Sequence, residues 1–358
     1  MSTHEASNHL GTDVSFKSSI PLRRQGGNLI PMPPRTVSVV IPTFNRRERL
    51  GKVLASLTKQ TVALDAMEVI VVDDGSLDGT SEWLATQAWP FRLLALRQEN
   101  AGPAAARNAG IRRASSEFIL FLDDDVVPEP ELVAEHLRSH EQSTTSLVVL
   151  GPMLSLPHYV QPWVAWEQVQ LEKQYRAMEC GDFAPTFRQF WTGNASVRRE
   201  HLIQANLFDV TLKRGEDVDL GLRLANLGVG YQFNPRARGL HHAERSLASF
   251  CKAHASYGEM EVALFEGRPG GAEGVLSGNW QRLHPMQRKF LEVLLSTSSG
   301  PAAVQGVLEL FLRSKVGAIA PASVSRAACS MLANLLFWDA NRRTLGSARF
   351  SRIMQASS

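Results

Sequence analysis

The sequence predicts an α/β fold in which a mostly parallel sheet is flanked by helices and followed by a C-terminal helical segment. Between residues 36 and 140, short apolar runs of strand length alternate with helical patterns. Each run is apolar throughout, which is typical of parallel strands that are covered on both faces. Polar residues stand directly after several of these runs, at the edge where such sheets bind ligands.

Strands and helices alternate along the first half of the chain. Strands are predicted at VSVVIP (37–42), MEVIVVD (67–73), FRLLAL (91–96) and EFILFL (117–122). Helices are predicted at RRERLGKVLASLTKQ (46–60), SLDGTSEWLATQ (76–87), GPAAARNAGIRRA (102–114) and PELVAEHLRSH (130–140). In the first helix, Leu50, Val53, Leu54 and Leu57 fall on one face.

The second half is predicted to be mainly helical. Residues 158–175 have a helical pattern, and FWTGNASVRRE (190–200) indicates a strand that runs into a helix. GEDVDLGLRLANLG (215–228) predicts a helix with Leu220, Leu224 and Leu227 on one face, ending at Gly228. From about Ser246 onward the pattern is mostly helical.

Length and composition indicate one main domain with an added segment. The 358 residues are 44% apolar and 20% charged, as in ordinary globular proteins. We expect a disordered polar tail over residues 1–35, a catalytic domain over 36–265 and a C-terminal helical segment over 266–358. The net charge of +3 is too small to indicate a nucleic-acid partner.

The sequence also predicts a cytoplasmic location. The three cysteines are isolated, so they indicate neither a disulfide framework nor a zinc site, and a reducing compartment is expected. The N-terminus lacks the apolar segment of a signal peptide, and no apolar run is long enough to span a bilayer.

The C-terminal segment is rich in positive charge. Residues 311–358 contain seven basic residues and one acid, Asp339, interspersed with apolar stretches. A basic amphipathic helix can lie on anionic lipid, so peripheral contact with the inner face of the membrane is one interpretation. A helical cap packed on the catalytic domain is the alternative, and it is somewhat favoured.

The sharpest chemical signal is the run Asp123, Asp124 and Asp125 at the end of a predicted buried strand. Adjacent carboxylates repel one another unless a cation or hydrogen bonds compensate them. Mg²⁺ commonly takes one or two carboxylates plus substrate phosphates. A solvated acidic loop or a helix cap is the alternative, but the position among other polar strand ends favours a metal site. Alternation along a strand predicts that Asp123 and Asp125 point the same way.

Polar residues follow the first two strands at the same edge. Thr43, Phe44 and Asn45 come after the first strand, and Asp73 and Asp74 end the second. A carboxylate there can accept a hydrogen bond from a uracil N–H or a ribose hydroxyl, and an aromatic ring can stack on a base. An Asp-Gly turn, a helix cap and a core phenylalanine are the alternatives.

The small-residue run NAGPAAARNAG (100–110) opens a predicted helix. The free N–H groups of a helix start can bind an anion, and Arg107, just over one turn inside, can reach a diphosphate. Close packing of a small-residue helix on the sheet explains the run equally well, except at Arg107 and Asn108.

Two further pairs carry possible chemistry. Glu216 and Asp217 begin a predicted helix, where acids also suit the helix dipole. A carboxylate can take the proton that an attacking hydroxyl loses, and we favour Asp217 as this general base. The adjacent His241 and His242 can supply a metal ligand or a proton, although a single histidine is usually structural.

Taken together, these segments resemble the family-two inverting glycosyltransferases, which have the A-type nucleotide-diphospho-sugar transferase fold with a Rossmann-like sheet. The matching motifs are VVIPTFNR, VVDDGSLDGT, NAGPAAARNAG, FLDDD, TGNASVRRE and GEDVDLGLRL, in the family's order, over roughly residues 36–258. Each motif alone is weak to moderate, whereas six in order make a strong match. Phe44 replaces the tyrosine associated with this position, which keeps a stacking face and loses a hydroxyl.

The resemblance implies a role for each site residue. Strand-end residues would hold the nucleobase and ribose, and Asp217 would act as the base with Glu216 beside it. Residues implied to bind the nucleotide-sugar are Pro42, Thr43, Phe44, Asn45, Asp73, Asp74, Arg107, Asn108, Asp123, Asp124, Trp191 and Asn194. The implied ligands of Mn²⁺ or Mg²⁺ are Asp125, Asp123 and one of His241 and His242.

The activity that the resemblance implies is metal-dependent, inverting transfer of a hexosyl group from a UDP-linked sugar to a hydroxyl acceptor. The acceptor would be a glycan, a lipid-linked glycan or a small molecule, with cell-surface glycan or glycolipid synthesis as the setting. In the implied in-line displacement, the metal and Arg107 would stabilise charge on the departing diphosphate.

Two other functions compete with this one. A nucleotidyltransferase would need a glycine-rich phosphate loop after the first strand, and IPTFNRRERL lacks the glycines. A nucleotide-sugar-binding protein without turnover needs no base, so the pair Glu216 and Asp217 argues against it.

Overall fold

The computed structural model describes residues 22–25, 28–31, 37–155, 161–212, 214–268 and 270–355. Its contacts divide the chain into two compact units, residues 1–34 and residues 35–358. In the first unit, strand β1 (Leu22–Gln25) pairs antiparallel with strand β2 (Asn28–Pro31). This hairpin falls inside the predicted tail, whose other residues lie outside the described ranges.

The second unit is built on a seven-stranded sheet. The described strands of this unit, which form two sheets, are β3 (Val37–Thr43), β4 (Met67–Asp73), β5 (Arg92–Arg97), β6 (Phe118–Leu122), β7 (Val126–Pro128), β8 (Leu147–Leu150), β9 (Met153–Ser155), β10 (Asn194–Arg198), β11 (Gly230–Phe233) and β12 (Gly239–His241). The large sheet has the order β11-β8-β10-β6-β3-β4-β5, and only β10 runs antiparallel to its neighbours. β7, β12 and β9 form a separate small sheet. The mostly parallel sheet confirms the predicted fold class.

The helices follow the predicted order. They are α1 (Arg47–Leu57), α2 (Thr80–Thr86), α3 (Pro103–Arg113), α4 (Leu132–Gln142), α5 (Pro162–Glu179), α6 (Arg199–Gln204), α7 (Glu216–Asn226), α8 (Leu247–Phe265), α9 (Gly271–Gln281), α10 (Pro285–Leu295), α11 (Gly300–Arg313), α12 (Lys315–Ile319), α13 (Ala322–Leu345) and α14 (Ser347–Gln355). In α7, Leu220 and Leu224 are buried as predicted, but Leu227 is 48% exposed. Leu227 caps the helix end rather than extending its apolar face, because the chain turns at Gly228 with a φ of 81°.

Helices cover both faces of the sheet, with a separate apolar core on each. Val40 and Phe121 pack toward α3 and α7 on one face, and Val39 and Leu120 pack toward α1 and α4 on the other. Gly110 lets α3 lie close to β3, because a Cβ atom at this position would collide with Val40. This contact places the first turns of α3, with their polar side chains, beside the carboxyl ends of the strands.

The C-terminal helices form a helical layer, as predicted. One apolar cluster contains Trp280, Trp338 and Phe350, and another contains Phe250 and Leu332. The predicted boundary between residues 265 and 266 falls at the end of α8, while contacts place residues 35–358 in one unit. Within the described ranges, no helix is both long enough and apolar enough to cross a bilayer.

Candidate active site

A cavity of about 530 Å³ opens at the carboxyl ends of β3, β4 and β6; we call it the donor cavity. Its lining residues are Pro42, Thr43, Phe44, Arg46, Asp74, Asn100, Gly102, Pro103, Ala106, Arg107, Asp123 and Asp124. Phe44 is 44% exposed at this cavity, so its ring face is open to a ligand. The residues predicted to bind the nucleotide-sugar that do not line it are Asn45, Asp73, Asn108, Trp191 and Asn194.

The two adjacent acids after β4 have different environments. Asp73 is fully buried, and its carboxylate accepts hydrogen bonds from the Ser76 N–H and the Ser81 hydroxyl, so it holds the turn after the strand. Asp74 lines the donor cavity, where its Oδ1 accepts two hydrogen bonds and its Oδ2 accepts one, from the Gly102 N–H. One lone pair on Asp74 Oδ2 therefore remains for a ligand.

The acidic run lies in a turn beyond the end of β6 at Leu122. Alternation along a strand therefore does not set the directions of Asp123 and Asp125, contrary to the sequence prediction. Asp123 accepts a hydrogen bond from Arg107, whereas Asp125 contacts Arg46. The two carboxylates still interact electrostatically, because burial and the charge of Asp123 raise the pKa of Asp125 to about 6.

Arg46 joins two carboxylates of the run. Its Nη1 donates to Asp124 Oδ1 and to Asp125 Oδ2, both at 2.9 Å. Asp124 also accepts a hydrogen bond from the Thr43 hydroxyl at 2.8 Å, which ties β3 to the turn. Burial raises the pKa of Asp124 to about 6, although the Arg46 charge acts in the opposite direction. The guanidinium thus supplies a positive charge to the acidic run.

His241 lies beside the acidic run. Its Nε2 is 3.6 Å from Asp125 Oδ1, and its Nδ1 is 2.8 Å from Gln168 Nε2. Burial lowers the pKa of His241 to about 4, so the ring is neutral at pH 7. His242 instead donates its backbone N–H to the Asp125 carbonyl. Among the described residues, no group of three histidine, cysteine or acidic side chains is arranged to hold a metal ion.

Arg107 connects the acidic run to the start of α7. The side chain is buried, and its Nη2 donates to Asp123 at 2.8 Å while its Nη1 lies 3.5 Å from Glu216 Oε1. Its guanidinium carbon is 5.9 Å from the centre of the Phe208 ring. The buried Nε finds no hydrogen-bond partner in the described part of the chain. Arg107 therefore brings residues more than 90 positions apart in sequence to one centre.

A second, smaller cavity of about 270 Å³ contains the predicted base; we call it the acceptor cavity. Its lining residues are Arg188, Trp191, Arg214, Gly215, Glu216, Asp217, Val218, Tyr257 and Met260. Burial, together with the neighbouring charge of Glu216, raises the pKa of Asp217 to about 6. Trp191, which was predicted to bind the nucleotide-sugar, lines this cavity.

Three predicted asparagines make hydrogen bonds within the protein. Asn45 has a φ of 54°, and its side chain accepts the Leu77 N–H, so it shapes the turn after β3. Asn108 is buried and exchanges two hydrogen bonds with the backbone of Phe208. Asn194 is buried as well, and its side chain bonds to a histidine and to two backbone carbonyls. The amides of Asn108 and Asn194 are occupied within the protein, so the geometry does not support the prediction that these two residues bind the nucleotide-sugar. Asn45 is exposed, and its predicted contact with the nucleotide-sugar stays a prediction.

Residues outside the predicted set also contact the site. Arg46 contacts the acidic run, Gln168 contacts His241, and Tyr257 lines the acceptor cavity. Arg46 follows the first strand, but no local pattern pairs it with an acid 78 residues later. Tyr257 lies in α8, far along the chain from Asp217, and no sequence spacing links the two.

A third cavity of about 670 Å³ adjoins the site at Asn45 and Arg46. Besides Arg46, two arginines of this cavity form ion pairs with acids: Arg49 pairs with Glu244, and Arg245 pairs with Glu167. The cavity has no residue in common with the lining of the acceptor cavity. We therefore place the chemistry at the other two cavities.

Comparison with known proteins agrees with this geometry. Residues 38–204 match the family described as Glycosyl transferase family 2. Glycosyltransferase AglE of Haloferax volcanii is 41% identical to the chain over 232 residues, which cover 64% of this chain and 74% of that protein. Validoxylamine A glucosyltransferase of Streptomyces hygroscopicus subsp. jinggangensis is 33% identical over 219 residues, which cover 54% of this chain and 52% of that protein. The chain thus spans about half the length of the latter relative.

A solved structure shares the architecture. The mannosyltransferase PcManGT from Pyrobaculum calidifontis, in complex with GDP-Man and Mn²⁺, superimposes with a TM-score of 0.55 at 20% identity, covering 86% of this chain and 88% of that one. At this identity the likeness shows the fold, and it confirms the predicted A-type architecture. The motifs, the matched segment and the relatives agree, and the chain belongs to glycosyl transferase family 2.

Proposed function

We propose that the protein transfers a sugar, with inversion, from a nucleoside-diphosphate sugar to a hydroxyl acceptor, and that the nucleotide is UDP. The observation that carries this proposal is the position of Arg107, which contacts Asp123 in the donor cavity and Glu216 in the acceptor cavity. A nucleotide-sugar bound at the strand ends would thus have its reacting carbon near the turn that carries Asp217.

The donor cavity offers complementary groups for a nucleoside. Stacking on Phe44 would hold the base, because the ring is exposed at the cavity. The free lone pair of Asp74 Oδ2 can accept a hydrogen bond from the uracil N–H or a ribose hydroxyl. Arg107 and the N–H groups at the start of α3 would face the diphosphate.

Asp217 is suited to act as the general base. Its raised pKa of about 6 makes it a stronger base than an ordinary carboxylate, yet it stays ionised at pH 7. As the acceptor oxygen forms its bond to the anomeric carbon, its proton passes to Asp217, and the bond from that carbon to the diphosphate oxygen breaks. Arg107 would stabilise the negative charge that develops on the departing diphosphate.

The residues beside the diphosphate position fit a divalent metal, Mn²⁺ or Mg²⁺. Asp125 Oδ1 and His241 Nε2 are 3.6 Å apart, and a carboxylate and an imidazole are side chains that would hold such a cation. The buried Gln168 Oε1 lacks a partner among the described residues. If this amide is flipped, Gln168 Oε1 accepts a hydrogen bond from His241 Nδ1–H. The His241 Nε2 atom then carries no proton, and its lone pair is available to the cation.

We therefore propose Asp125 and His241 as metal ligands, with Asp123 nearby, and prefer His241 over His242. When bound, the metal would neutralise charge on the diphosphate as a Lewis acid. Arg46 holds the other oxygen of this carboxylate, Asp125 Oδ2, and can keep that contact while Oδ1 takes the cation.

A panel of nucleotide-sugars, each with and without Mn²⁺ or Mg²⁺, tests the proposed function. We expect one donor to raise the melting temperature and to be hydrolysed slowly in a metal-dependent manner, with release of the free nucleotide. UDP-sugars should outperform their GDP and dTDP counterparts. A panel in which no nucleotide-sugar binds or turns over would contradict the proposal.

We also propose that the C-terminal helices contact an anionic membrane surface, as an enzyme of cell-surface glycan or glycolipid synthesis would. Eight exposed large apolar side chains lie between residues 286 and 324: Met286, Phe290, Val293, Val307, Leu310, Val316, Ile319 and Val324. Soluble proteins rarely concentrate such side chains without a binding partner. The same stretch carries four basic residues and two acids, which suits anionic lipid.

The charge further along the segment does not contribute to this surface. Arg342 pairs with Asp339, and Arg349 and Arg352 both pair with Glu273. The final helices therefore act as the packed cap that the sequence also suggested, and the membrane proposal rests on α10 to α13.

Sedimentation with vesicles tests the membrane contact. We expect the protein to pellet with phosphatidylglycerol-containing vesicles and to stay in solution with pure phosphatidylcholine. The double variant Val307→Glu, Leu310→Glu should lose the binding, whereas Ile203→Glu, an exposed position on α6, should retain it. Equal recovery in the supernatant with both vesicles would end the proposal, and concentration-dependent self-association would assign the surface to a second copy instead.

A further inference from the structure

The acceptor cavity presents hydrogen-bond donors that the protein itself does not use. The Trp191 indole N–H, the Tyr257 hydroxyl and the Arg214 guanidinium all belong to residues that line this cavity. None of the three groups has a hydrogen-bond or ion-pair partner among the described residues. By contrast, the donors around the acidic run are already bonded to carboxylates.

The charges of the cavity do not all cancel. Arg188 makes a two-pronged ion pair with Glu261, with nitrogen–oxygen distances of 2.9 and 3.1 Å. Glu216 faces Arg107 at 3.5 Å. Within the described lining this leaves one cation, Arg214, without a carboxylate partner, in the same cavity as Asp217.

The position of Arg214 is defined by its neighbours. Its guanidinium carbon lies 5.3 Å from the centre of the Tyr257 ring, and stacking of this kind leaves the N–H edge of the guanidinium open. The next residue, Gly215, has a φ of 78°, and a Cβ atom there would collide with Met260 of α8. The turn that carries Arg214 is therefore packed directly on α8.

We infer that the acceptor carries an anionic group, a carboxylate or a phosphate, close to the hydroxyl that receives the sugar, and that Arg214 binds this group. The inference rests on the proposed function, because it needs Asp217 to act on the neighbouring hydroxyl. A guanidinium binds both kinds of anion through paired N–H groups. The small volume of about 270 Å³ suits one sugar-sized group carrying its charge.

Matched acceptors test the inference, with the donor taken from the nucleotide-sugar panel. Glucose, glucuronic acid and glucose 1-phosphate provide neutral, carboxylate and phosphate forms of one ring, and glycerol and glycerol 1-phosphate provide an acyclic pair. We expect kcat/KM for one anionic form to exceed that of its neutral counterpart by about tenfold or more. The form that is preferred identifies the source of the charge.

Variants then assign the preference to a residue. Arg214→Gln should remove the preference mainly by raising the KM for the anionic acceptor, and Arg214→Lys should restore part of it. Arg282→Gln, an exposed arginine at the end of α9, serves as the matched control and should keep the preference. Equal use of neutral and anionic acceptors, or a preference that survives in Arg214→Gln, would overturn the inference. Donor hydrolysis by the wild-type protein without acceptor checks the proposed function separately.

Discussion

The donor and acceptor cavities meet at Arg107 but are built in different ways. The donor cavity comes from strand ends and the start of α3, all within residues 42–124, and its carboxylates are bonded to groups of the protein itself. The acceptor cavity combines residues 188–191, the turn into α7 and the middle of α8, and some of its donors have no partner among the described residues. In the function we propose, the sheet would preorganise donor binding, whereas helix packing would decide which acceptor can enter.

The largest effect is expected from Asp217→Asn, which removes the base and leaves the donor cavity intact. Transfer should fall by about 10²–10⁴-fold, the usual contribution of a general base. The dissociation constant of the donor, measured by calorimetry, should stay close to that of the wild type. Asp219→Asn, one helical position away from the cavity lining, is the matched control. A transfer rate near the wild-type value would show that another group takes the proton.

Arg107→Gln should affect both cavities, because it breaks the contact that joins them. We expect kcat to fall by about 10²–10³-fold through the lost charge on the diphosphate side. Asp123 and Glu216 would also lose their cation, so the melting temperature should drop. The exposed Arg112→Gln on the same helix should change neither quantity. Calorimetric melting and steady-state rates for both variants provide the measurement.

Phe44→Ala should weaken the donor cavity alone. Loss of base stacking costs about 1–3 kcal/mol, so the KM for the donor should rise by roughly 5–150-fold while kcat changes little. Phe44→Tyr should keep the wild-type KM or lower it, because the stacking face remains. An unchanged donor KM in Phe44→Ala would move the base to another part of the cavity.

The smallest expected effect is the pH dependence of kcat, which should distinguish the acceptor cavity from the donor cavity. Asp217 works as a base only when deprotonated, and its pKa is raised to about 6, so kcat should be halved near pH 6 and fall about tenfold per unit below it. The residual transfer of Asp217→Asn should lack this decline. Rates from pH 5 to 8 on wild type and variant provide the comparison, and a flat wild-type profile would contradict the assignment.

Much of the fold was predictable because its signals are local. Each of the strands β3, β4 and β6 is a short apolar run, and the apolar face of α1 recurs at helical spacing within one segment. Each of these elements could therefore be identified from its own residues. The apolar face predicted for α7 was wrong at Leu227, because the position where the helix ends depends on the turn at Gly228. The hairpin of β1 and β2 carries no strong apolar pattern and was not predicted.

The site was predictable in part, for a similar reason. Motifs at strand ends pointed to Thr43, Phe44, Asp74, Arg107 and Asp123, because the ends of parallel strands share one edge. The amides of Asn108 and Asn194 lie near the same motifs, and only their burial shows that they bond to the protein. Asn45 is exposed, and only the structure shows its contact with the Leu77 N–H.

The sequence by itself determined the order of strands and helices, the edge where polar groups gather and the family. These features follow from short-range residue patterns, because the residues of each strand or helix indicate which of its side chains are buried and where it ends. Only the tertiary structure decided that Arg46 holds the acidic run, that Arg107 spans two cavities and that Tyr257 supports Arg214. These contacts join positions 16 to 109 residues apart, and the packing of separate elements brings them together without any local signal.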